Sequence, residues 1–136
     1  MAHFKDNQER VWSLQFDMLA VQRIERELQI QILDFQQGFL RVIGSPASLI
    51  SVLWILCRPN EQGLSPEAFA RAFDDVVLDG AARSLLDAYV DFFRSPSRRA
   101  LLEALRRRVH ELEATREETL SAMVAAIGTT PGGSPP

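Results

Sequence analysis

A single cysteine, Cys57, stands among 136 residues, so the chain cannot close an internal disulfide. It lies within an apolar run, and a lone thiol of that kind points to a reducing compartment. Histidine is nearly as scarce. His3 and His110 are far apart and neither sits in a ligand-spaced motif, so no metal site and no cofactor are expected. Basic excess is missing too. The formal net charge is -3, whereas proteins that live on a phosphate backbone carry a positive surplus. The longest apolar run, Leu49 to Cys57, is interrupted by Ser51 and falls short of the ~20 residues a bilayer span needs. No apolar stretch follows MAHFKDNQERVW, so a secretory leader is not expected and the chain reads as soluble. The signatures GxSxG, GxxxxGK[ST] and GxGxxG do not occur.

What remains is a globular composition, 46% hydrophobic and 24% charged, enough for a core in a domain of ordinary size. His3 to Lys5 and Val11 to Phe16 read as a hairpin around the polar turn Asp6 to Glu9, with Trp12, Leu14 and Phe16 on one strand face. A helix using Val11, Leu14 and Phe16 is the alternative for the second arm. Asp17 caps a helix carrying Val21, Ile24 and Leu28, and residues 29–33 alternate as a brief extended segment. Ser45-Pro46, Ser65-Pro66 and Ser95-Pro96 are three helix starts, each a capping hydroxyl followed by proline at the first helical position. The predicted helices are 17–28, 35–43, 46–57, 66–73, 80–93 and 96–126, with a break at 74–80. The helix over 46–57 is apolar nearly all round and belongs at the centre.

The fold class is therefore mainly α: a multi-helix bundle with a small N-terminal β-hairpin and a long C-terminal helix. Residues 1–105 form the helical domain, 106–127 an extension of the last helix, and 128–136 (GTTPGGSPP) a disordered tail.

Candidate chemistry is sparse. Asp74-Asp75 could serve as an acid–base or metal pair, but adjacent acids at a break more often cap a helix. Cys57 has no histidine near it in sequence, and a buried thiol is a poor nucleophile. Charge is more telling. Residues 94–108 hold six arginines against Glu103, a local +5, while residues 61–91 hold seven acids against Arg71 and Arg83, a local -5. Arg106, Arg107 and Arg108 span about 200° of a helix, so they form no single focused patch; they suit a solvated helix surface or an acidic protein partner. Along the C-terminal helix Leu102, Leu105, Val109 and Leu112 step by three and four, the stripe weakens at Arg116, and it resumes at Leu120, Met123 and Ile127. Leu101, Leu102 and Leu105 read as packing on the domain. Leu112, Leu120, Met123 and Ile127, with Arg106 to Arg108, are the candidate partner-binding residues, for a foreign helix or a second copy.

The order of four segments, FKDNQERVWSLQFDMLAVQRIEREL, LISVLWILCRP, LSPEAFARAF and LLDAYVDFFRSPSRRALLEAL, resembles the small tail assembly chaperones of long-tailed bacteriophages and related prophage elements, over roughly residues 4–105. The helix after Leu105 departs from that pattern. The resemblance implies a non-enzymatic helical protein that binds the tape measure protein and possibly the tail tube protein. It also implies work in the host bacterial cytoplasm and absence from the mature virion. A phage structural or adaptor protein retained in the particle is the alternative.

Overall fold

The computed structural model describes the backbone of residues 2–133 and the side chains of 2–111, 114–115 and 118–125. The chain is mainly helical with one two-stranded antiparallel sheet, and it divides into two compact units that meet between Arg94 and Ser95. The boundary thus falls at the third Ser-Pro start, not after Leu105, because a new helix begins there and runs unbroken past 105.

In the first unit, strands β1 (His3–Lys5) and β2 (Val11–Ser13) pair with Phe4 opposite Trp12. The strand reading of the second arm holds over the helical one. Trp12 and Leu14 are buried, and the alternation outlasts the ladder. The turn is organised by a buried carboxylate. Asp6 accepts from the backbone N–H groups of Gln8 (2.8 Å) and Arg10 (3.0 Å), from Arg10 Nε (2.8 Å) and from the indole Nε1 of Trp12 (2.9 Å).

Asp17 caps α1 (Met18–Leu28) by accepting from the Ala20 N–H at 2.9 Å, one of the donors a helix start leaves unpaired. Residues 29–33, expected to be extended, make no ladder; they turn, and Ile32 goes into the core. The expected helix over 35–43 exists but opens as a π-turn, Phe35–Phe39, before α2 (Leu40–Ile43). Gly38 lies in that wide turn against the backbone of residues 31 and 32.

Helix α3 (Pro46–Cys57) is central: it packs on α1, α2, β2 and α4 (Pro66–Arg71), and Leu49, Val52, Leu53, Ile55 and Leu56 are buried. Arg58, in the left-handed region (φ 52°), ends it, and a short 3-10 turn, Pro59–Gln62, follows. Helix α4 stops at Arg71, two residues early, where the Asn7 N–H donates to the Ala72 carbonyl at 3.0 Å and satisfies a helix-end acceptor from outside.

The break expected at 74–80 is shorter and earlier, residues 72–74. Helix α5 (Asp75–Phe92) follows, capped by Asp74, whose Oδ1 accepts from the Val77 N–H at 2.8 Å. Val76, Val77 and Gly80 are poor helix formers, but burial of Val77 and Ala81 outweighs propensity. A Cβ built on Gly80 meets nothing within 4 Å. Gly80→Ala is therefore expected to raise stability by about 0.5–1 kcal/mol, read as a higher urea midpoint with an unchanged slope.

All eleven aromatic side chains fall into two clusters in this unit. Phe69 is the hub of one, with Trp12 at 5.4 Å, Phe73 at 5.1 Å and Trp54 at 5.8 Å, and Phe4 joins through Phe73. Tyr89 is the hub of the other. It stacks on Phe39 at 4.2 Å, meets Phe16 and Phe93 edge-on, and donates its hydroxyl to the Leu33 carbonyl at 3.1 Å.

The second unit is built on α6 (Pro96–Gly133). Its start is where the sequence places it. Its helical backbone continues beyond 126 to Gly133, although Gly128 and Pro131 both disfavour a helix interior; no feature of the sequence explains the extension. Residues 134–136 of the expected tail lie outside the described residues.

Candidate protein-binding site

Several acids of the first unit are occupied by structure: Asp17 and Asp34 cap helical turns as Asp6 holds the hairpin turn. Asp74 caps α5, and Asp75 accepts from the Val76 N–H at 3.0 Å. Asp74 thus takes the capping role expected of the pair, while Asp75 is the first residue of the helix. Burial opposes ionisation of Asp6, but its four hydrogen bonds, led by that from Arg10, outweigh burial and hold the carboxyl below its usual value. His3 and His110 are exposed. Among the described residues, no three of His, Cys, Asp or Glu converge as a metal site.

Cys57 closes α3, and burial pushes its thiol up to about 12. Alkylation by iodoacetamide at mildly alkaline pH should therefore be slow in the native protein and fast in denaturant. Equal rates in the two states would contradict this picture.

Depressions in the first unit include one of about 240 Å³ between β2 and the end of α3, lined by Trp12, Leu56, Cys57, Arg58 and Glu61, and two others. One, of about 440 Å³, lies between the start of α1 and the end of α5, with Leu14, Phe16, Met18 and Phe92 as its apolar lining and Asp17 and Asp91 among its polar groups. The other, of about 200 Å³, runs between α1, α3 and α4 over Leu28, Ile50, Trp54 and Phe69. Cys57 lines the depression of about 240 Å³ with no histidine among its lining residues. Among the described residues, no single helix is long and apolar enough to cross a membrane.

The sequence-predicted partner residues all lie on α6. Leu120 and Met123 are 48% and 54% exposed, and Val124, which the stripe spacing passed over, is 68% exposed beside them. Arg107 and Arg108 are exposed and Arg106 is half-buried, so the three arginines do not share one surface. The side chains of Leu112 and Ile127 lie outside the described residues. Further up, Leu102 is buried, Leu105 half-buried and Val109 exposed. Leu101, expected to pack, is instead 62% exposed; one residue from Leu102, it sits about 100° around the helix. At 3.6 residues per turn, Leu101, Leu105, Val109, Leu120, Met123 and Val124 fall within an arc of roughly 140°. Arg98, Arg106, Glu113 and Arg116 fall within the same arc, so the apolar stripe is interrupted by charge along the helix.

No family model, curated protein or solved structure matches the chain.

Proposed function

We propose that the protein is a tail assembly chaperone of a long-tailed phage or prophage element. On this reading it binds the tape measure protein through apolar helical surface, keeps it soluble, and assists tail tube assembly without catalysing a reaction. The observation that carries the reading is the exposed stripe of α6, where Val109, Leu120, Met123 and Val124 face solvent. A long helical client exposes apolar surface that aggregates, and a partner with such a stripe can cover it. The order of the four sequence segments supports the same reading. Their Trp12, Trp54, Phe69, Phe73, Tyr89, Phe92 and Phe93 build the two aromatic clusters, so these motifs specify the scaffold and leave binding to other surfaces.

Co-expression with a candidate tape measure protein tests the proposal. The client is expected to become soluble and co-purify, and Leu120→Glu with Met123→Glu is expected to abolish both effects. A client equally soluble without the protein, or capture indifferent to the double substitution, would count against it. Mass spectrometry of purified particles separates the chaperone from a retained structural or adaptor protein, since the chaperone is expected to be absent.

A further inference from the structure

We draw no further inference here: the strongest candidate, the outer edge of β2 along the depression of about 240 Å³ beside the end of α3, is only three residues long and nothing in the structure shows what covers it.

Discussion

Substituting Asp6 with alanine is expected to remove about 3 kcal/mol of stability, measured by urea unfolding followed through tryptophan fluorescence. The carboxylate is the acceptor for four donors at once, and its side chain is fully buried. Removing it leaves the buried Trp12 indole N–H and two turn amides without the acceptor they use. A buried donor stranded in this way costs ~1–3 kcal/mol. Arg10 can turn to water because its side chain is about a third exposed, so it adds less than a sealed ion pair would.

Asparagine at position 6 should recover part of the loss, since its carbonyl oxygen still serves the turn, while its amide faces donors it cannot accept from. The pH dependence separates charge from shape. The carboxyl titrates below its usual value in the folded state, so its contribution is fully present above the ordinary carboxylate range, near pH 4, and is lost as pH falls through the depressed folded value. The stability gap between wild type and Asp6→Asn is therefore expected to be constant around neutrality and to shrink below about pH 4. A gap independent of pH down to the acid transition would remove ionised Asp6 from this account.

The second large effect belongs to Gly38. A Cβ placed there would stand 1.9 Å from the Gln31 carbonyl oxygen, 2.6 Å from the Gln31 carbonyl carbon and 2.9 Å from the Ile32 Cα. All three are backbone atoms, so no side chain can swing aside. Accommodating a methyl group means lifting residues 31–32 off the π-turn. That movement withdraws Ile32 from the core and loosens Phe39, which stacks on Tyr89. Gly38→Ala is expected to cost about 3 kcal/mol, at the upper end of ordinary overpacking. Hydrogen exchange should locate the loosening at 31–43 before it reaches α3. Stability within a few tenths of a kcal/mol of wild type would show that the close approach relaxes cheaply. Gly80→Ala, made in parallel, should act in the opposite direction. Steric space, more than glycine's conformational freedom, decides the sign.

These two residues also mark where the sequence stops being readable. The Ser-Pro starts were legible because their signal is local: a hydroxyl for an unpaired N–H, then a ring that already holds helical φ. The hairpin was legible through alternation, and α3 through unbroken apolarity. Asp6 looked like one of four polar turn residues. Its role needs Trp12 folded back over it, which only the Phe4–Trp12 register supplies. Gly38 sat in FQQGF as an unremarked helix residue, because a contact with residue 31 leaves no trace in spacing. The start of α5 was misread for a related reason. Val76, Val77 and Gly80 speak against a helix locally, and the burial that overrules them comes from elsewhere in the chain. On α6 the spacing found Leu120 and Met123 but not Val124, because an ideal stripe is narrower than the apolar arc the helix presents.

One bond reaches from one end of the first unit to the other. The Ser84 hydroxyl donates to the His3 carbonyl at 2.6 Å across 81 positions of sequence, and β1 lies along α5. Strand β1 must therefore wait for one of the last helices of its own unit before it is fully held. Loop closure over that distance comes late and is opposed by chain entropy. Until α5 has emerged, Phe4 and Trp12 lack their final shelter. Nascent chains halted before residue 84 should thus be cut readily by proteases at the hairpin, and those halted well beyond it should resist.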